Sequence, residues 1–198
     1  MSQQERHHRS SAQQRREALL HAAVAVAAES GAAAVTHRAV TEKAGLPLAT
    51  VSYFFSSIDN LLEEAIRRHV ESTAALQIEL AESLENTCQE PEAIAETFAS
   101  LASTARPEML SLFEAYLAAA RSPKFSKPVA EAISATRRVA AAGARAAGAP
   151  APEALAPALA ALSHGFTLHK LANPHAVDTE MVQAAFRALF LGFNADST

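Results

Sequence analysis

Residues 36–55, THRAVTEKAGLPLATVSYFF, hold two short helical patterns separated by a turn, and their reading decides the fold. Thr36 is placed to cap a helix running to about Ala44, with Val40 and Ala44 turned inward. Gly45-Leu46-Pro47 makes a tight break, because glycine accepts a left-handed conformation and proline cannot continue a helix. A second short segment, Leu48 to Phe55, then closes on the aromatic pair Phe54 and Phe55. Two short helices around a glycine turn outline a helix-turn-helix. The second helix opens on Pro47, Leu48, Ala49 and Thr50, small or apolar and without an acid. Such an end is slim enough to enter a major groove about 12 Å wide. The same pattern also suits a buried helical hairpin, and the spacing alone leaves both readings open.

Working outward, helical periodicity continues in both directions and sustained period-two alternation is absent. Ser11 with Gln14 forms a capping box before a helix whose stripe is Leu19, Ala22, Ala23 and Val26, ended by Ser30-Gly31. Beyond the turn, Ser56-Ser57 caps a helix of about 28 residues, roughly 40 Å long. Its stripe reads Leu62, Ile66, His69, Thr73, Leu76 and Leu80. Pro91 and Pro107 suit first-turn positions. They open stripes at Ile94, Phe98 and Leu101, and at Leu110, Phe113, Tyr116 and Leu117. An alanine-rich helix is expected over roughly 125–146, another to about Leu171, and a last one capped by Asp178. The expectation is an all-α chain of about nine helices with no fixed-period repeat.

Composition narrows the class. Of 198 residues, 49% are apolar and 19% charged, so a substantial core is affordable and disorder is not implied. No stretch approaches the roughly 20 uninterrupted apolar residues of a membrane helix. The first residues, MSQQERHHRSSAQQRRE, lack an apolar export signal, so the expected compartment is a reducing cytoplasm. A lone cysteine, Cys88, staples nothing and reads as either incidental or redox-sensing. The net charge of −4 divides unevenly. Residues 1–58 hold six bases against four acids, leaving eleven bases and seventeen acids behind them. A basic head on an acidic body suits a protein that offers one end to phosphates.

Residues 19–62 resemble the DNA-binding domain of the TetR/AcrR family of bacterial regulators. The matching elements come in order: Leu19-Leu20 with Ala22-Ala23, Glu29-Ser30-Gly31, Val35-Thr36 with Arg38, Ala44-Gly45-Leu46, Thr50-Val51, Phe55, and Asp59 with Leu61-Leu62. The resemblance implies a three-helix DNA-binding head followed by a helical ligand-binding and dimerisation domain. The corresponding division is a flexible arm over 1–10, a head over 11–60 and a rear domain over 61–198. It also implies roles for single residues. Thr36, His37 and Arg38 stand where the family touches phosphates and, through the arginine, sometimes a base. Leu48, Ala49, Thr50 and Ser52, after Pro47, lie on the groove-facing start of the second helix. Tyr53 and Phe54 reach toward the DNA backbone. Two departures stand out, since the family often has tyrosine at the position of Ser52 and lysine at that of Ile58. A missing phosphate-binding cation could be replaced by the arginines between Arg6 and Arg16. The other reading of that arm is a solvated, disordered tail.

The resemblance further implies a small-molecule effector and a homodimer on double-stranded DNA, whose two-fold symmetry calls for a pseudo-palindromic operator. Candidate effector-pocket residues are Phe98, Phe113, Tyr116 and Leu117, with Phe125, Phe166 and His169. Few charges accompany them, so the expected effector is largely apolar. The last helix shows Val182, Phe186, Leu189, Phe190 and Phe193 along one side, and the preceding one Leu162 and Phe166 beside small residues Ala158, Ala161 and Gly165. Such stripes must be buried, within the chain or against a second copy, and the resemblance implies the second, with these seven large residues at the dimer interface. His164 and His169 are five apart, off the one-face spacing of metal ligands, so no metal or cofactor is expected. No nucleophile elbow, P-loop or zinc-protease motif argues for an enzyme. The rival from another class is a helical protein-binding adaptor without DNA binding.

Overall fold

The computed structural model describes the backbone of residues 3–85, 87–103 and 107–195, and side chains over 11–85, 87–102 and 109–192. Among the described residues the chain is all-α. The helices are α1 (Gln3–Ser30), α2 (His37–Ala44), α3 (Ala49–Phe54), α4 (Ile58–Glu85), α5 (Pro91–Ser103), α6 (Pro107–Arg121), α7 (Ser126–Ala146), α8 (Pro152–Ala172) and α9 (Thr179–Ala195). Short 3₁₀ turns cover Ala32–Ala34 and Pro123–Phe125. No helix over the described residues is long and apolar enough to cross a membrane.

The helix punctuation follows the expected chemistry at most ends. Thr36, Ser57 and Asp178 accept from the backbone N–H groups of Ala39, Asn60 and Met181 at 3.1, 3.1 and 2.7 Å. Each satisfies a donor that the first turn leaves open. Ser11 is the exception. Helix α1 runs back through it to Gln3, so the capping box expected at Ser11 and Gln14 marks no start, and the backbone of residues 3–10, expected as an arm, is helical. The stretch Gln3–Arg9 contains glutamine, glutamate and arginine, good helix formers with no breaker among them.

The chain divides into two compact units, residues 1–70 with 111–127 and residues 71–110 with 128–198. Most of α6 therefore joins the head, where the sequence led us to expect a single boundary near residue 60. Ser111, Glu114, Ala118 and Arg121 of α6 face Val24 and Ala27 of α1 and Ile66 and His69 of α4 across a small crevice.

The first unit is built on Leu19, Leu20, Ala23 and Val26 of α1, Val40 of α2, Val51 of α3, Phe55, and Leu61 and Ala65 of α4. A polar clamp ties α1 to α4. Arg16 donates to both Glu64 carboxylate oxygens at 2.6 Å. Arg68 pairs with Glu17 and Glu64. The Arg16 guanidinium also stands 5.0 Å from the centre of the Phe55 ring, a cation–π arrangement. On α4 the buried stripe is Leu61, Ala65, Ile66, Val70 and Ala74, while Leu76, expected inside, is 64% exposed. The heptad reading chose the neighbouring face because Leu76 outweighs the alanines that are in fact buried.

The second unit packs α5 against α8 and α9, with α7 completing the core. Ile94, Ala95, Phe98 and Ala99 meet Ala140, Ala142 and Ala144, Leu155 and Leu159, and Val182, Phe186 and Phe190. The alanines of α7 let its neighbours approach closely, and three phenylalanines fill the remaining space. Thr167 donates to the carbonyl of Ala102 at 3.2 Å, and the Gln89 N–H to that of Ala146 at 3.0 Å.

Candidate nucleic-acid interface

The head presents one surface built from the start of α2 and the outer face of α3. Thr36 is extended (φ −126°, ψ 160°) and closes the first turn of α2 with its hydroxyl. That fixes where His37 and Arg38 emerge, and both are exposed. Gly45 ends α2 in the left-handed region (φ 65°, ψ 32°). Its N–H donates to the Glu42 carbonyl at 3.2 Å and that of Leu46 to Thr41 at 2.9 Å. A Cβ at Gly45 would meet nothing within 4 Å, so glycine is needed there for its backbone angle and not for space. This turn sets the angle between the two helices.

Pro47 opens the next turn, its carbonyl accepting from the Thr50 N–H at 2.9 Å. Val51 and Phe55, four apart, are buried at 0% and 4% exposure and anchor α3 to the core. The opposite face follows from the same period. Leu48 with Ser52, and Ala49 with Tyr53, point outward and are exposed. Pro47 is exposed too, whereas Thr50 and Phe54 lie half-buried on the flanks. Phe54 meets Tyr53 edge to face, ring centres 4.7 Å apart. Val35, Thr36, His37 and Arg38 line a shallow open concavity together with Leu48, Ala49, Ser52 and Ile58. The residues expected to meet DNA thus lie together, eight exposed and two half-buried.

The charges on this surface are partly occupied. Arg38 donates to Glu42 at 2.8 Å, one helical turn on, and this hydrogen bond holds its guanidinium pKa above the ordinary value. Lys43 pairs with Glu29 at 2.6 Å. Ile58, the departure from lysine, is half-buried against the head's core. The compensation expected from the N-terminal arginines is curtailed, since Arg16 is committed to Glu64. The side chains of Arg6 and Arg9 lie outside the described residues. Sequence reading passed over Glu42, although the spacing of Arg38 and Glu42 is that of a helical ion pair.

The remaining candidates are rearranged. Val182, Phe186 and Phe190, expected at a dimer interface, are buried by their own chain, with Phe98 ring centres 5.4 Å from Phe186 and 6.4 Å from Phe190. These three are covered within the chain, without a second copy. Leu162, Phe166 and Leu189 are half-buried against the same core, and the side chain of Phe193 lies outside the described residues. Phe98 is therefore core, not pocket lining. Phe113, Tyr116, Leu117 and Phe125 belong to the first unit, and Phe166 and His169 to the second. Phe113 and Tyr116 pack edge to face at 6.1 Å, while Leu117 and His169 are exposed. The crevice beside α6 has a volume of about 40 Å³. That is room for water, far below the roughly 300 Å³ of an effector site. Among the described residues no cluster of histidine, cysteine or carboxylates could hold a metal.

What α8 and α9 leave outside is a different set. Ala154, Ala158, Ala161, Gly165, Leu168 and Ala172 are exposed or half-exposed along α8 with alternating spacings of four and three. Met181, Ala184, Ala188 and Leu191 follow the same pattern on α9. Leu168, Met181 and Leu191 are 47%, 49% and 47% exposed, and a Cβ at Gly165 would meet nothing within 4 Å.

Comparison with known proteins bears on both parts of the chain. Residues 19–65 match the family model described as bacterial regulatory proteins, tetR family. Residues 89–192 match that of the tetracyclin repressor-like C-terminal domain. Among solved structures, a TetR-family member of Streptomyces coelicolor A3 is 26% identical, covering 88% of this chain and 97% of its own, with a TM-score of 0.68. The multidrug binding protein EbrR, solved with proflavin, is 26% identical over 88% of this chain and 99% of its own, at a TM-score of 0.62. A transcriptional regulator of Rhodococcus sp. Rha1 shares the fold at 23% identity, 91% and 96% coverage and a TM-score of 0.71. No curated protein matches by sequence.

Proposed function

The chain belongs to the TetR family of bacterial transcriptional regulators, and from that premise we propose that it is a ligand-responsive repressor that binds a pseudo-palindromic operator as a homodimer. The observation that carries the reading is the outward face of α3. Its apolar anchors Val51 and Phe55 are buried while Leu48, Ala49, Ser52 and Tyr53 stand clear of the chain's own helices. No described helix of the chain covers Leu48, 59% exposed at the N-cap of α3, or Tyr53, 76% exposed on it. A major groove would cover both, with Thr36, His37 and Arg38 placed to engage the adjoining phosphates.

The dimer in this reading forms through the outer stripes of α8 and α9. Small residues at Ala158, Ala161 and Gly165 allow two helices to approach closely, and Leu168, Met181 and Leu191 supply the apolar area. Two heads related by a two-fold axis would read half-sites one helical turn apart, about 34 Å. The effector is proposed to be small and largely apolar, and its binding releases the operator; EbrR, of the same fold, binds the small molecule proflavin. The bias required is a few kcal/mol. The work is done in the cytoplasm, where the operator is. A duplex-binding assay tests the core of the reading. The affinity of the full chain for random duplex DNA should fall steeply as salt rises from about 50 to 200 mM. An adaptor that binds only protein would show no such affinity.

A further inference from the structure

The outer face of α3 is unusual as a reading surface in what it lacks. Its exposed residues are Leu48, Ala49, Ser52 and Tyr53, with no amide, guanidinium, ammonium or carboxylate among them. The four base pairs are told apart in the major groove by hydrogen-bond donors and acceptors and by one apolar feature, the thymine 5-methyl group. Leu48 and Ala49 have side chains that can neither donate nor accept. A serine hydroxyl does both and discriminates little. Leu48 is 59% exposed at the N-cap of α3 and shares the concavity with Ala49, His37 and Arg38. Cationic and hydrogen-bonding groups around a small apolar centre fit a duplex, whose phosphates flank the groove floor. They fit a protein partner poorly, since a six-residue helix offers too little area for a stable interface.

We infer that Leu48 and Ala49 read thymine through its 5-methyl group, so that each operator half-site is specified at the α3 positions by apolar contact. The inference rests on the DNA-binding reading and sharpens it, because it names which base and which atom are recognised. Recognition of thymine is thereby separable from recognition of phosphate, since replacing thymine with deoxyuridine removes the methyl and leaves the phosphate and the Watson–Crick edge intact.

The experiment uses the full chain to select duplexes from a random pool, then replaces each thymine of the best duplex in turn by deoxyuridine. Burying one methyl in an apolar contact corresponds to about fourfold in affinity. The expected result is a loss of about that size at one or two positions in each half-site and none elsewhere. Leu48→Ala, folded by its thermal unfolding curve, should weaken binding to the thymine duplex and reduce the loss that deoxyuridine causes. Specific binding that tolerates deoxyuridine everywhere overturns the inference and leaves the DNA-binding reading standing. So does full methyl discrimination retained by the Leu48→Ala and Ala49→Gly double variant. A chain that selects no duplex overturns both.

Discussion

The Phe98 ring occupies the space where a side chain at Gly143 would stand, a Cβ on that glycine lying 2.2 Å from Phe98 Cζ. Phe98 also packs against Phe186 and Phe190 of α9, ring centres 5.4 and 6.4 Å away, which limits how far the ring can withdraw from α7. Gly143→Ala should therefore destabilise the second unit by about 1–3 kcal/mol, the usual size of an overpacking penalty. Urea unfolding measures it. Shortening the ring as well, Gly143→Ala with Phe98→Leu, should recover part of the loss, and strict additivity of the two would mean that they do not compete for one space.

Arg38 and Glu42 set up a competition on the reading surface. While Glu42 holds the guanidinium, the arginine must leave it to reach a phosphate or a base. Glu42→Gln should tighten duplex binding by removing both the competitor and a like charge near the phosphates. Arg38→Ala should weaken binding and, if the arginine meets a phosphate, reduce the salt slope by about 0.9. Both variants can be read by fluorescence anisotropy over a salt series.

Burial of His164 pushes its imidazole below the ordinary value of 6.5. The folded state thus favours the neutral ring, and below about pH 6.5 the unfolded chain takes up the proton first. The stability associated with this residue is complete above that value and is lost as pH falls through it toward the folded pKa. The melting temperature should drop between about pH 7.5 and 5.5, and His164→Gln should flatten that part of the profile. An unchanged profile in the variant would assign the pH dependence to other groups.

Ala161 stands on the small-residue stripe of α8, exposed in the single chain. Ala161→Glu should leave the helix and the core intact while placing a carboxylate in the proposed dimer seam. Sedimentation should show a dimer for the parent chain and a folded monomer for the variant, with operator affinity lost in parallel. A variant that remains dimeric would move the interface elsewhere.

Much of this architecture was legible in the residues. The turn at Gly45 is forced by a left-handed angle, Thr36 and Asp178 are caps by chemistry, and α3 can anchor only through Val51 and Phe55. These are local signals, each confined to one or two helical turns. The partner of a stripe is not local. Val182, Phe186 and Phe190 declare that one side of α9 is buried, but their sequence says nothing of whether α5 or a second copy does the burying. Alanine misleads for the same reason. In α4 the buried face is carried by Ala65 and Ala74 around Val70, which a reading weighted by size passes over for Leu76. The path of α6 into the first unit was equally hidden, because its half-buried aromatic residues, Phe113 and Tyr116, fit either unit.

The central claim is that the outer face of α3 enters a DNA groove, and Ala49→Asp tests it most directly. Ala49 is exposed, so the substitution leaves the core untouched, and an unchanged melting curve verifies that. The parent chain should bind duplex DNA with an affinity that falls roughly a thousandfold between about 50 and 200 mM salt for some six phosphate contacts. The variant, its carboxylate facing base edges and phosphates, should not bind the operator at all. Equal affinity of parent and variant for the same duplex, or binding indifferent to salt, would contradict the account.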